Sequence, residues 1–313
     1  MIRKHTRRAA KAAFAISLGV AIVLGGFAGA ARSATHQTAA THSAPTIVIG
    51  SKNFPEEDIL GQLYTQALKA KGFTVSYHSE VGSTEVIQTS LTSGKINFYP
   101  EYMGVIVQDV FHRTTSPKSA AATYALAKKL EAGKGYTVLT PTPFYDTDVL
   151  AVTKATAKKY GLKTISDLKK VGAFKLGGFP ECGTRNTCFL GYTKQYGLSK
   201  ASFASVGSVS PYAALDAGSV LAADVFSTDP PLAAPSKYTV LTDPKHITGF
   251  QNVAPIVSTK VAKAAGAKFT ATVNAVSAKL SLAAILAMNK AVEVDKQSAA
   301  AVAKQFLTAN KLA

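Results

Sequence analysis

Short apolar runs alternate with amphipathic segments along nearly the whole chain, and this rhythm constrains the fold more than any other feature. The run at 46–49 (TIVI) reads as a strand that stops at Gly50. Residues 55–71 read as a helix: Pro55 suits its first turn, and Glu56, Glu57 and Asp58 complement the positive end of its dipole. Ile59, Leu60, Leu63 and Leu68 recur at helical spacing, and Gly72 ends the run. Strands follow at 73–77, 96–99 and 148–153, with helices at 84–93 and 118–132 between them. A second region repeats the pattern, with helical segments at 154–160, 165–170, 189–197 and 211–217 and strands at 174–177, 203–206 and 220–226. Residues 256–257 close that region, and the Ala- and Lys-rich tail 259–312 reads as two or three helices. Repeated β-α-β units predict an α/β fold whose sheets are parallel in type, with helices on their faces. Ligands of such sheets bind beyond the carboxyl ends of the strands, where Lys52, Tyr99–Tyr102, Asp146 and Phe226–Asp229 fall.

Residues 1–34 differ from the rest. Arg3, Lys4, Arg7, Arg8 and Lys11 precede an uncharged apolar run at 12–31, and small residues at 28–30 or 31–34 offer a cleavage site. That layout predicts a signal peptide or an uncleaved N-terminal anchor, followed by a polar linker at 35–45. The segment carries 6 of the 35 basic residues and none of the 18 acids, which leaves 29 basic against 18 acidic residues in the remainder. Those lysines are scattered over helical faces and no nucleic-acid-binding motif accompanies them, so the charge reads as a solvated surface. Export also bears on Cys182 and Cys188, the only cysteines, which are expected to form a short-range disulfide with Arg185 inside its loop.

Signatures of catalysis are sparse. G-x-S-x-G, the phosphate-binding G-x-x-x-x-G-K-[ST] and H-E-x-x-H are all missing, and the six histidines are isolated. Ser166-Asp167-Leu168-Lys169 matches S-x-x-K, but neither S-D-N nor K-T-G follows, and Ser166 is expected to cap a helix instead. Asp146 and Asp148, two apart, would share one strand face and make a negative patch for a cation. Among the aromatics Phe54, Tyr99, Tyr102, Phe144, Tyr145 and Phe226, Tyr102 is the best cleft candidate. Rings beside carboxylates suit a quaternary ammonium, which is attracted without hydrogen bonds. No cofactor and no metal are expected.

The segments "IGSKNFPEEDILGQLYTQAL", "VGSTEVIQTSLTSGKINFYPEYMGV", "GFPECGTRNTCFLGYTKQYGL" and "PYAALDAGSVLAADVFSTDPPLAA" together resemble the osmoprotectant-binding proteins of ABC importers, the glycine betaine/choline/carnitine group. The resemblance spans nearly all of 46–310. It implies a two-lobed, type II periplasmic-binding-protein-like clamshell with mixed sheets and flanking helices. Lobe 1 would be 46–148 plus 252–313, lobe 2 would be 149–251, and two chain crossings would form the hinge. A small cationic or zwitterionic solute would sit between the lobes of a monomer, which would deliver it to ABC permease and ATPase subunits. The protein would be exported to a periplasm or cell surface, with or without a membrane anchor. By resemblance Lys52 and Arg185 hold a ligand carboxylate, Glu181 takes part in closure, Asp146 lies near the ammonium and Tyr102 belongs to an aromatic cage.

Departures from the family pattern bear on the cargo. Only Tyr102 keeps its identity among the four cage tyrosines. Phe226 loses a hydroxyl, Asp148 stands at a third position and the fourth falls near Gln251, while "YMGV" puts Val105 where the pattern has Thr. Thr228, in the closing Thr-Asp of the last segment, joins the expected ligand set. Such a cage predicts a solute that also offers hydrogen-bond donors, larger or more polar than glycine betaine, which itself would bind poorly. The alternatives are an exported hydrolase or transferase, or a ligand-sensing module that feeds no transporter, on the same scaffold.

Overall fold

The computed structural model describes residues 45–206, 210–233 and 235–313, so the expected leader and nearly all of the linker lie outside the described residues. Two five-stranded mixed sheets organise the chain. The first runs in the order β2 (Val75–Gly82), β1 (Ile47–Lys52), β3 (Phe98–Tyr102), β10 (Val253–Ser258), β4 (Tyr136–Val138). The second runs β7 (Ala201–Ser205), β6 (Phe174–Gly178), β8 (Ala222–Phe226), β5 (Asp148–Thr153), β9 (Tyr238–Leu241). In the first sheet β1 is parallel to β2 and β3, and β10 is antiparallel to β3 and β4. In the second, β6 is parallel to β7 and β8, and β5 is antiparallel to β8 and β9.

Each sheet buries both faces. On the first, helix α1 (Pro55–Ala70) and the C-terminal helices α8 (Thr259–Lys279), α9 (Leu282–Glu293) and α10 (Ala299–Ala309) pack around Ile47, Ile49, Phe98 and Phe269. On the other face, α2 (Thr84–Thr92), the short α3 (Met103–Val105) with its π-type continuation Ile106–Val110, and α4 (Ala120–Ala132) cover Ile96, Tyr99 and Ile256. The second sheet is flanked by α6 (Phe189–Tyr196) on one side and α7 (Pro211–Asp216) on the other, with α5 (Lys154–Tyr160) next to β5. No single helix among the described residues is long and apolar enough to cross a membrane.

The chain passes between the sheets twice, and the two passages lie side by side. Tyr145 pairs antiparallel with Asn252, the Asp146 N–H donates to the Gln251 carbonyl at 3.3 Å, and the Thr147 and Thr248 hydroxyls are 2.8 Å apart.

Several local readings are corrected. Strand β3 begins later than expected and runs through Pro100, which sits opposite Pro255 of β10. The Met103 N–H donates to the Asn252 carbonyl at 3.0 Å, which sets the alternation of the ladder and leaves Pro100 and Pro255 as a non-hydrogen-bonded pair. On its other side β3 meets β1 only at Phe98, so Pro100 deprives no neighbour of a donor. Pro255 faces β4 only at that strand's end, where its carbonyl accepts the Leu139 N–H at 2.8 Å. Ser166 is not the cap of its helix. Thr164 is, in a capping box with Asp167, ahead of the 3₁₀ segment Ile165–Val171. Strands β4 and β9 were not anticipated, because three or four residues carry too little pattern.

Candidate functional site

The carboxyl end of β1 delivers Ser51 and Lys52, and the chain then turns through Asn53 and Phe54 into α1. Lys52 is buried. Its ammonium contacts Glu101 Oε1 at 2.5 Å and lies 4.4 Å from the centroid of Tyr102 and 5.5 Å from that of Phe54. Glu101 also accepts the Tyr102 N–H, and Glu57 accepts the Lys52 N–H at 3.2 Å. The lysine that the family resemblance assigns to a ligand carboxylate is therefore held by a carboxylate of its own chain, with its charge against two rings.

Glu56, in the first turn of α1, accepts three hydrogen bonds: from Tyr102 at 2.8 Å, Thr228 at 2.7 Å and Asn289 at 2.8 Å. Thr228 follows β8, so this contact ties the first-sheet unit to the second. Asp146 accepts from the Ser227 hydroxyl at 2.8 Å and the Thr228 N–H at 3.0 Å. Gln251 accepts from the Val105 N–H and donates to the Thr248 carbonyl, so both ends of its amide are in use. It packs where only glycine fits beside it, since a Cβ on Gly104 would come within 2.5 Å of the amide nitrogen.

The second-sheet unit supplies the opposite wall. Phe226, at the end of β8, stacks on Phe54 with centroids 5.2 Å apart and on Phe179 at 6.1 Å. Arg185 lies in the loop closed by the Cys182–Cys188 disulfide, which the structure contains. Its guanidinium crosses to α2 and grips the Glu85 carboxylate through three contacts of 3.0–3.2 Å. Thr187 of the same loop donates to Asp109.

Between these walls lies a cleft with about 600 Å³ of empty space. Lys52, Tyr102, Asp146, Asp148, Glu181, Arg185, Phe226 and Gln251 all line it. Thr228 does not. It faces a neighbouring cavity. Phe54 and Phe179 line the cleft too, and neither is among the site residues expected from the sequence; the signal for each is its placement at a turn just beyond a strand end. The partners Glu85 and Glu101 were not legible either, since they stand 100 and 49 residues from the cations they bind.

Burial dominates the electrostatics. It pushes the carboxyls of Asp146 and Asp148 upward, with Glu56 adding repulsion at Asp146 and the Arg185 and Lys52 charges opposing the rise at Asp148. Glu57 is driven to about 8 and Asp109 to about 7, both chiefly by loss of water. At Glu85 burial also acts upward, but the Arg185 charge and the Ser83 hydroxyl outweigh it and hold the group below its ordinary value. The cleft thus combines stacked rings, buried carboxylates and two cations that each already have an anion.

A family model described as the substrate binding domain of ABC-type glycine betaine transport systems matches residues 45–309. The chain belongs to that family. It is 30% identical over 235 residues to the glycine betaine-binding protein YehZ of Escherichia coli, covering 70% of this chain and 76% of that one. It is 29% identical over 281 residues to a glycine-betaine-binding protein of Pseudomonas aeruginosa, covering 86% and 89%. The solved structure of apo YehZ superposes with a TM-score of 0.61 at 26% identity, over 86% of this chain and 100% of that one. A glycine betaine/carnitine/choline ABC transporter structure gives 0.67 at 22% identity over 85% and 99%, a likeness of fold. The two-sheet architecture is that of two-lobed periplasmic binding proteins, and the chain is a solute-binding component of an ABC importer.

Proposed function

We propose that the cleft takes a quaternary-ammonium or related cationic or zwitterionic solute, and that the loaded protein is recognised by an ABC permease driven by its ATPase. Substrate-binding proteins of such importers work outside the cytoplasm. This one is read as periplasmic or cell-surface, with its N-terminal segment as leader or anchor. The observation that carries the reading is the stack of Phe54, Phe226 and Phe179 beside buried Asp146 and half-buried Asp148. Ring faces attract a cation that cannot hydrogen-bond, and each such contact adds roughly 0.5–2 kcal/mol once water is excluded. Residues 46–148 with 252–313 and residues 149–251 are taken as the lobes that close on it. Lys52, Tyr102, Asp146, Asp148, Arg185, Phe226 and Gln251 are proposed as its contacts, Glu181 as a closing residue and Thr228 as a contact beside the cleft.

A binding titration against glycine betaine, choline, carnitine and proline betaine, with a neutral sugar as control, tests the reading. Saturable heat with at least one ammonium compound and none with the sugar is expected. A ligand present at 100 times its dissociation constant should also raise stability by about 2.7 kcal/mol. Binding of the sugar alone would refute it.

A further inference from the structure

A second cavity, with about 630 Å³ of empty space, shares Phe54, Phe179, Phe226 and Asp146 with the first and extends beyond them to α9. Four carboxylates line it, those of Glu56, Asp146, Asp229 and Glu293, and no lysine or arginine among the described residues does. Most of these acids have donors: Glu56 has three, Asp146 has two, and Asp229 accepts from the Phe226 N–H and the Tyr212 hydroxyl. Glu293 accepts none among the described residues. Asn289 supplies an independent sign. It is 2% exposed and lines the cavity; its amide nitrogen donates to Glu56 and to the Thr228 carbonyl, yet its Oδ1 has no hydrogen-bond partner. A buried acceptor left over, beside a partly buried carboxylate without a protein donor, is open to a donor that the protein itself does not provide.

We propose that this cavity is a second subsite, which receives a second cationic or N–H-bearing group of the same cargo molecule. The inference rests on the reading above, since the first head group must occupy the first cleft. It names the cargo class as dications of the diamine or bis-ammonium type. An alkyl connector would pass the ring partition and lie against Val225 and Phe226, both of which line the cavity. The charge balance agrees. Burial raises the Asp229 carboxyl to about 6, and burial together with the charges of Asp229 and Glu56 raises Glu293 to about 7, with Lys296 opposing. An entering cation favours the ionised form of both groups, so any proton they hold is released as it binds.

The test is calorimetry on the purified protein with alkyltrimethylammonium ions and the matching α,ω-bis(trimethylammonium) alkanes of three to six methylenes, repeated with the corresponding mono- and diamines. One connector length is expected to bind at least tenfold tighter than its single-headed counterpart. Glu293→Gln, outside the first cleft, is expected to abolish that gain and leave the single-headed ligand unchanged. Equal affinities at every length would overturn the second subsite and leave the proposed function standing, as would an equal loss for both ligand types in Glu293→Gln. Failure of every cation to bind would overturn both.

Discussion

Replacing Glu85 with Gln isolates the contest for Arg185. In the structure the guanidinium holds the Glu85 carboxylate at 3.0–3.2 Å, so a ligand carboxylate that uses Arg185 must displace or share it. Two opposite charges about 4 Å apart attract by roughly 4 kcal/mol at an effective dielectric near 20. The Glu85 side chain is 55% exposed, against 17% for Arg185, so water and salt remove much of that. About 1–2 kcal/mol should survive, equivalent to roughly a 5- to 30-fold change in a binding constant. Glutamine keeps the shape and loses the charge. Glycine betaine and choline share a trimethylammonium head and differ at the carboxylate, so the ratio of their dissociation constants reports the contest and cancels any general damage. In Glu85→Gln the ratio should move toward glycine betaine by that 5- to 30-fold, and less so in high salt. A ratio that stays within about twofold, or moves toward choline, would refute the reasoning.

Three further outcomes are expected. Thr228→Val removes the 2.7 Å bond to buried Glu56 that joins the two units, a loss of about 1.5–3 kcal/mol. If that bond forms on closure, the loss appears in ligand affinity and hardly in the unfolding free energy of the empty protein, and equal losses in both would exclude the role. Opening the Cys182–Cys188 loop with a double Ser substitution should cost about 2 kcal/mol by loop entropy and also weaken binding, since Arg185 lies within the loop; denaturant unfolding and titration check the two effects. Finally, Glu57, Asp109, Glu131, Glu293 and Asp229 carry folded-state values of about 8, 7, 7, 7 and 6, all raised first by burial. The unfolded chain releases these protons at lower pH than the folded one, so their stabilising contribution is complete below about 4 and is lost as pH rises through 6 to 8. The melting temperature of the empty protein should fall between about pH 5.5 and 8.5, and a rise across that range would mean these acids are ionised in the folded state.

Helix α1 was legible because its start, its apolar face and its stop are all written locally, in Pro55, the acids after it and Gly72. The alternation of strands and helices likewise pointed to an α/β fold, but to parallel sheets. The antiparallel pairings of β10 with β3 and β4, and of β5 with β8 and β9, carry no signal in that alternation. Strand β3 was misread at its boundary because proline ordinarily breaks a ladder, and only the register against β10 reveals that Pro100 falls where no donor is needed. The site divides in the same way. Lys52, Tyr102, Asp146 and Phe226 could be found from the pattern at strand ends and Asp148 from its spacing to Asp146, whereas Glu181, Arg185 and Gln251 came only through the family resemblance. All eight line one cleft. Their partners could not be found in either way. That Lys52 meets Glu101, or Arg185 meets Glu85, depends on which strands and loops become neighbours, and side chains that face each other across a cleft leave no periodic trace.

The paired passages between the sheets carry Asp146 and Gln251, with Asp148 beside them at the start of β5, near the axis about which the proposed lobes would turn, whereas Arg185 and Phe179 would stand out along the moving arm. Displacement grows with distance from a pivot. The carboxylates near the axis would thus hold almost the same position whether the jaws are apart or together, like an anvil, while the arginine and the rings swing in as the hammer. Cargo would be weighed first for positive charge and only afterwards for shape. Substitutions at the anvil should therefore alter how fast a solute is captured, and those on the arm how long it stays.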